Sequence, residues 1–134
     1  MITTFLPGSI LIVDESMGLW KGKGMPGWLF VSRKPTPVGR ESHTTADCDR
    51  GAIIFVEPYE GKDLMKDKEF VSTYGANLAK AMRCVKPWFG SGRCVILDSG
   101  FASFKCIRGM AENGMYAIGN VKSAHVAFPK AWLK

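Results

Sequence analysis

The chain has 134 residues, of which 46% are apolar, and its formal net charge is +6. This length fits one domain with its own core, and the apolar content is that of a folded protein rather than a disordered one. No apolar run approaches the roughly 18 to 20 residues of a membrane helix, and the N-terminus lacks the basic start of a signal peptide. The positive charge is equally typical of a protein that binds a polyanion and of one with a solvated basic surface.

The cysteine pattern argues against a zinc site. None of the four cysteines forms a C-x-x-C pair, and the chain has only two histidines, His43 and His125. Cys94 and Cys106 lie in apolar surroundings that are typical of reduced, buried thiols. These features favour a reducing, intracellular compartment.

The N-terminal half of the chain predicts strands. An apolar strand at residues 9 to 14 ends at Asp14, and residues 16 to 40, rich in Gly, Pro and Lys, predict an irregular excursion. Residues 41 to 47 and 52 to 58 are strand candidates on either side of the turn sequence DCDRG. Together they predict a β-hairpin.

The apolar period then changes from that of a strand to that of a helix. Apolar residues recur every four positions between residues 66 and 85, at Phe70, Tyr74, Leu78 and Met82. This spacing predicts one continuous amphipathic helix. Pro87 is expected to stop it.

A strand, a helix and a last strand complete the predicted order. The strand RCVIL at residues 93 to 97 leads into Asp98, and MYAIGNVK predicts the final strand. Between them, residues 101 to 113 predict a helix with Gly114 as its C-cap. The residues expected on its buried face are Phe104, Ile107 and Ala111.

Asp14 and Asp98 each close an apolar strand. Strand–helix–strand crossovers place parallel strands side by side, so both carboxylates can lie at the same edge of the sheet. Carboxylate oxygens of this kind suit Mg²⁺, which proteins hold through one or two carboxylates together with substrate phosphates. The pair therefore predicts a divalent-metal site, although a single aspartate at a strand end is more often a cap or turn residue.

A phospho-receiver domain is an alternative interpretation of the same acidic residues. ILIVDES, VILDSG and the late Lys122 superficially resemble its acids, its phospho-accepting aspartate and its lysine. A receiver domain would alternate strands and helices between these motifs, whereas this chain has a basic loop and a predicted hairpin there. We therefore disfavour this alternative.

The order of several short motifs resembles the catalytic domain of piggyBac-type transposases and transposable-element-derived proteins. The resemblance runs from about Ser9 to Pro129, so it covers nearly the whole chain. The motifs that carry it are VDESM, WKGKG, RKPTPVGRE, YEGKD, GRCVILDSGFAS and YAIGNVK.

This resemblance implies an α/β RNase H-like fold with a mixed five-stranded sheet. It also implies DNA cleavage and strand transfer at two Mg²⁺ ions that three aspartates hold. Asp14 and Asp98 match the first two of these catalytic, metal-binding residues. The third is expected on a helix beyond the last strand, a position that does not occur before Lys134.

We therefore expect residues 1–134 to be a partial RNase H-like transposase domain, truncated after its last core strand and without the N-terminal and C-terminal regions of the family. Such a chain is expected to bind Mg²⁺ or Mn²⁺ weakly and to be inactive on its own. The resemblance also implies DNA as a partner and the nucleus as the location. It leaves the oligomeric state and the DNA target sequence open.

A DNA-binding remnant without catalysis is the alternative function. Basic residues lie among Trp20, Trp28 and Phe30 in the excursion, a mixture that suits phosphate contact and base stacking. Glu15 is interpreted as exposed surface and His43 as a structural residue. The candidate DNA-binding residues are Lys21, Lys23, Arg33, Lys34, Arg40 and Lys122.

Overall fold

The computed structural model describes residues 6 to 122, so Pro129 and His125 lie outside the described part of the chain. The strands are β1 (Ile10–Leu19), β2 (Trp28–Phe30), β3 (Val38–Asp47), β4 (Ala52–Pro58), β5 (Cys94–Leu97) and β6 (Tyr116–Gly119). The α-helices are α1 (Lys62–Met65), α2 (Val71–Tyr74), α3 (Ala76–Val85) and α4 (Phe104–Glu112), and a 3₁₀ turn at Lys86–Trp88 follows α3. None of these helices combines the length and the apolar character that crossing a bilayer would require.

The strands form one mixed sheet with β1 at its centre. Strand β1 pairs with β3 in antiparallel fashion and with β5 in parallel fashion, and β6 continues the parallel side. Strands β2 and β4 both pair with β3. The predicted mixed α/β sheet is confirmed, with the β3–β4 hairpin on one side of β1 and the strand before Asp98 on the other. The described residues contribute six strands and not five, because β2 adds a short strand beside β3.

The core lies between the sheet and the helices α3 and α4. Leu11 and Val13 of β1 pair in register with Val95 and Leu97 of β5, and all four side chains are buried. Because side chains alternate between the faces of a strand, these residues share the face that the helices cover. From the helices, Met82, Val85, Cys106 and Met110 complete the same cluster.

Strand β1 is longer than the sequence predicts. It continues past Asp14 to Leu19, and over this extension it pairs with β3 alone, from Asp14↔Thr44 to Leu19↔Gly39. The excursion also contains β2, so the expectation of a wholly irregular segment is wrong. The polar and glycine residues that favour a loop are tolerated because this part of the strand pairs on one side only and its residues are exposed or half-buried.

The single helix predicted over residues 66 to 85 is wrong. The chain forms the short helices α1 and α2 before α3, because the backbone at Phe70 and Gly75 is left-handed, with φ of 70° and 82°. A right-handed helix cannot continue through such residues. The predicted apolar residues nevertheless point inward, since Phe70, Tyr74 and Leu78 pack against the core.

Helix α4 begins later than predicted, and it buries a different face. Ser103 caps its N-terminus by accepting a hydrogen bond from the Cys106 backbone N–H at 3.2 Å. Phe104 and Ala111 were expected to be buried but are exposed, Phe104 by 56%. The residues that face the core are Cys106, Gly109 and Met110.

The reason for this shift lies just before the helix. Phe101 and Ala102 already fill the core from the turn that follows β5, so the helical period starts from Ser103 instead of Phe101. The helix ends at Glu112, one residue earlier than predicted, and Asn113 is its C-cap. Gly114 follows in the left-handed conformation, with φ of 68°, that closes many helices.

This corrected face predicts a large difference between two truncations in α4. Met110→Ala should lower the free energy of unfolding by about 2–5 kcal/mol, because it empties a fully buried site. Phe104→Ala removes a larger but exposed side chain and should cost less than about 1 kcal/mol. Urea unfolding of the two variants measures both values, and a larger loss for Phe104→Ala would contradict the assigned face.

Candidate metal and DNA-binding site

The parallel pairing of β1 and β5 brings the two candidate ligands together. The last registered pair of these strands is Val13↔Leu97, and Asp14 and Asp98 each follow it by one residue. Neighbouring strands lie about 4.8 Å apart, so the two aspartates are neighbours at the point where β5 ends and β1 continues with β3 alone. The parallel, side-by-side placement is as predicted, but Asp14 lies within β1 and does not end it. The metal-binding role stays a prediction.

Each aspartate also makes a local hydrogen bond that shapes its backbone. Asp14 Oδ1 accepts from the Glu15 backbone N–H at 2.7 Å, and Asp98 Oδ1 accepts from the Gly100 backbone N–H. Both residues are exposed, and within residues 6 to 122 neither takes part in an ion pair. Two exposed carboxylates, each engaged locally through one oxygen, fit the oxygen-donor chemistry of Mg²⁺.

The candidate DNA-binding residues fall into two groups. Lys21, Lys23 and Arg33 are exposed on the excursion, and Lys122 is exposed after β6. Lys34 and Arg40 instead donate hydrogen bonds to backbone carbonyls within the protein. Lys34 Nζ donates to the Glu15 carbonyl and Arg40 Nε to the Tyr59 carbonyl, each at 3.2 Å. The first group can meet a phosphate without breaking a contact inside the protein.

The aromatic residues of the excursion lie largely at the surface. Trp20 and Phe30 are exposed by 51% and 65%, and the Trp28 indole N–H donates to the Trp20 carbonyl at 3.2 Å. Exposed rings next to free cations are typical of a surface that contacts nucleic acid. The excursion thus carries exposed cations and exposed aromatic rings on one segment.

A buried cluster of charged residues lies on the opposite face of the same strands. Glu15, His43 and Glu57 are direct neighbours across β1, β3 and β4, and they face α3. His43 is fully buried, and its Nε2 atom lies 2.9 Å from Glu41 Oε1. Its Nδ1 atom has no hydrogen-bond partner and lies 4.0 Å from Glu57 Oε2.

Helix α3 supplies the cations that face these carboxylates. Arg83 binds both Glu57 oxygens, at 2.7 and 2.9 Å, in the two-pronged geometry that makes such pairs strong. Lys80 Nζ lies 3.4 Å from Glu41 Oε1 and 3.9 Å from Glu15 Oε1. The cluster therefore joins α3 to the central strands by charge.

This cluster also has the composition of a metal site, since donor atoms of Glu15, Glu41 and His43 lie within 4.8 Å of one another. Lys80 already supplies a positive charge to two of these residues, which weakens the case for a metal ion there. The burial of His43 and its bond to Glu41 fit the expected structural role, which stays a prediction. The assignment of Glu15 to exposed surface is wrong, because its side chain is only 20% exposed and belongs to the cluster.

Sequence reasoning missed this cluster, although one signal for it was present. In GRESHTTAD, Glu41, His43 and Thr45 alternate at the two-residue period of a strand, and all three point to one face. No conclusion follows from this polar stripe in the sequence alone, because its partners on α3 cannot be identified from a local pattern. The structure buries it because α3 brings its own charged residues to cover it.

The bond from His43 holds the pKa of Glu41 down to about 2. Burial of the carboxyl opposes this shift, and the charge of Lys80 adds to it. Since the folded-state pKa lies below the ordinary value of 4.5, the stabilisation is complete above about pH 4.5. It is lost as the pH falls through the interval from about 4.5 to about 2.

Glu41→Gln should therefore remove part of the acid sensitivity of the fold. Chemical unfolding between pH 5 and pH 2.5 should show a shallower loss of stability for this variant than for the wild type. Glu112→Gln is the matched control, because Glu112 pairs with Arg108 on the exposed surface of α4. An unchanged pH slope in Glu41→Gln would show that the ionisation of Glu41 does not stabilise the folded state.

Comparison with known proteins identifies the family. A sequence model of the family described as Transposase IS4 matches residues 1–134. A cryo-EM structure of the piggyBac transposase synaptic complex with hairpin DNA superposes on this chain with a TM-score of 0.80 at 21% sequence identity. That match covers 96% of this chain and 26% of the transposase chain. Sequence comparison with curated proteins gave no match.

These matches confirm the predicted RNase H-like fold and its likeness to piggyBac transposase. They also leave no support for the phospho-receiver alternative, which would need an alternating strand–helix order where the β3–β4 hairpin lies. Because the family model spans every residue of the sequence, this chain belongs to the Transposase IS4 family.

Proposed function

We propose that this chain forms the part of a DNA transposase that holds the catalytic metal, with Asp14 and Asp98 as two of its carboxylate ligands. The observation that carries this proposal is the register Val13↔Leu97, which makes Asp14 and Asp98 exposed neighbours at the carboxyl end of β5. The family match supports DNA as the substrate class. The nucleus as the location rests on the resemblance alone.

The residues of the chain have distinct tasks in this proposal. A bound Mg²⁺ or Mn²⁺ ion would supply Lewis acidity for phosphodiester cleavage and strand transfer. Asp14 and Asp98 hold the ion at the carboxyl end of β5, and the hydrogen bonds from Glu15 and Gly100 fix the orientation of their carboxylates. The exposed Lys21, Lys23 and Arg33 attract the DNA backbone.

Two carboxylates make a weak site. The resemblance implies a third aspartate on a helix beyond the last strand, and the matching motifs assign no such residue in this chain. We therefore propose that residues 1–134 bind a divalent ion with a Kd on the order of millimolar, the weak end of oxygen-ligand sites. Strand cleavage would need a further ligand from outside these residues.

Metal binding should raise the melting temperature. At 10 mM Mn²⁺ and a Kd of about 1 mM, the stabilisation is about 1.4 kcal/mol, or roughly 4–6 °C for a chain of this size. Asp14→Asn and Asp98→Asn should each abolish this shift. Their metal-free melting temperatures should equal or slightly exceed that of the wild type, because the variants remove a repulsion between neighbouring like charges.

The control for this experiment is Glu15→Gln, which alters the buried cluster and leaves the paired aspartates intact. It should retain the Mn²⁺ shift. If Glu15→Gln loses the shift while Asp14→Asn keeps it, the metal binds the buried cluster instead. A wild-type melting temperature that does not respond to Mn²⁺, compared with NaCl at equal ionic strength, would refute the proposed metal site.

DNA binding without catalysis is the second candidate function. The observation that favours it is the exposed pairing of Lys21, Lys23 and Arg33 with Trp20 and Phe30 on the excursion. Such a surface needs no metal to bind a phosphate backbone, because counterion release provides the driving force. This function and the first one share the same DNA-binding segment.

Replacing Lys21 and Lys23 by alanine should weaken duplex binding and reduce its dependence on salt. Each lost phosphate contact lowers the slope of log K against log salt by about 0.9, so the double variant should lose up to about 1.8. Fluorescence anisotropy across a salt series measures both quantities. The double variant Lys105→Ala, Arg108→Ala on α4 removes equal charge outside the excursion and should keep the wild-type slope. Equal losses in both double variants would indicate nonspecific attraction by net charge.

A further inference from the structure

A cleft lies on the helix-covered side of the sheet, between the end of β4 and the start of α3. Its volume is about 290 Å³, and helices α1 and α2 form the remaining walls. This size is at the lower limit of small-molecule sites, so the cleft fits one ring system and not a duplex. Its main lining residues are Tyr59, Lys62, Met65, Lys66, Val71 and Lys80.

The wall of the cleft is apolar, and its rim is cationic. Met65, Val71 and Ala76 supply the apolar wall together with the Tyr59 ring. Lys62 and Lys66 are exposed, and neither has an ion-pair partner in the part of the chain that the structure describes. An apolar wall beneath free ammonium groups is complementary to a ligand that has a flat ring and a phosphate.

The cleft lies at the same end of the sheet as the paired aspartates. The side chain of Asn77, which also lines the cleft, donates to the Gly100 carbonyl at 2.6 Å, two residues after Asp98. On the other wall, the Tyr59 backbone N–H donates to the Glu41 carbonyl. Glu41 pairs with Met17, which lies three residues after Asp14 on β1. Asp14 lies on the face of the sheet opposite the helices, so a strand bound near the metal ligands would enter the cleft by passing around the end of β5, where Gly100 lies.

We propose that this cleft binds one unpaired nucleotide of a DNA strand, with the base against the apolar wall and the adjoining phosphates at Lys62 and Lys66. The inference rests on the proposed function for the identity of the ligand as DNA. Every base has an apolar π-face, so such a site tolerates any sequence. It would hold a nucleotide that has left the duplex next to the cleavage point.

The test compares two labelled oligomers that differ only in their bases. A thymidine oligomer and an abasic oligomer of equal length carry the same phosphate charge, so a purely electrostatic surface binds them equally. In EDTA the protein should bind the thymidine oligomer about tenfold more tightly, the size of one stacked base. Equal affinities for the two oligomers would overturn the proposal.

Two variants test whether the base binds in the cleft or on the exposed rings of the excursion. Ala76→Phe places a ring in the cleft and should remove the preference for the thymidine oligomer, with circular dichroism as the check of folding. The double variant Trp20→Leu, Phe30→Leu should keep the preference, because it removes exposed rings of the excursion only. If this double variant loses the preference and Ala76→Phe keeps it, the base stacks on the excursion and the cleft proposal falls.

Charge variants test the phosphate contacts. Lys62→Gln with Lys66→Gln should lower the salt dependence of single-strand binding by up to about 1.4, at about 0.7 per contact. The matched control is Lys105→Gln with Arg108→Gln on α4, which should leave the salt dependence unchanged. An equal salt dependence of binding for the cleft variant and the wild type would show that Lys62 and Lys66 do not contact the phosphates.

The two proposals can fail separately. Base-dependent binding in EDTA does not need a metal, so Asp14→Asn and Asp98→Asn should retain it. If the Mn²⁺ shift is absent but the base preference persists and Ala76→Phe removes it, the cleft stands and the metal site falls. If the Mn²⁺ shift is present but the protein binds the thymidine and abasic oligomers equally, the metal site stands and the cleft proposal is refuted.

Discussion

The parallel pairing of β1 with β5 is the constraint on which the rest of this structure depends. Four registered pairs, from Ile10↔Cys94 to Val13↔Leu97, place Leu11, Val13 and their partners under the helices. The same register determines where Asp14 and Asp98 lie. A slip of one residue would move every side chain to the opposite face and separate the core from the site.

The charged cluster under α3 also stabilises this arrangement, because it holds the helix against the sheet. Burial of separate charges would be costly, and the paired geometry of Arg83 with Glu57 and of His43 with Glu41 compensates for that cost. Since the cluster spans β1, β3 and β4, it fixes the helix over the central strands. The cleft at the start of α3 and the paired aspartates at the carboxyl end of β5 are thereby held close together.

Much of the fold could be predicted from the sequence because its signals are local. The apolar runs before Asp14 and Asp98, the DCDRG turn and the order of elements all follow from periods and turn residues. Element limits were less predictable. The break at Phe70 carries no local signal, because a bulky residue takes a left-handed conformation there only under the influence of its surroundings.

The sequence by itself determined the two aspartates as a pair, the strand order around them and the resemblance to a transposase. Only the tertiary structure decided which polar residues are buried and which apolar residues are exposed. Glu15 enters the cluster since α3 brings Lys80 to it, and Phe104 turns outward since Phe101 has already filled the core. The physical reason is that burial depends on what another element places opposite a residue, and a local pattern does not contain that information.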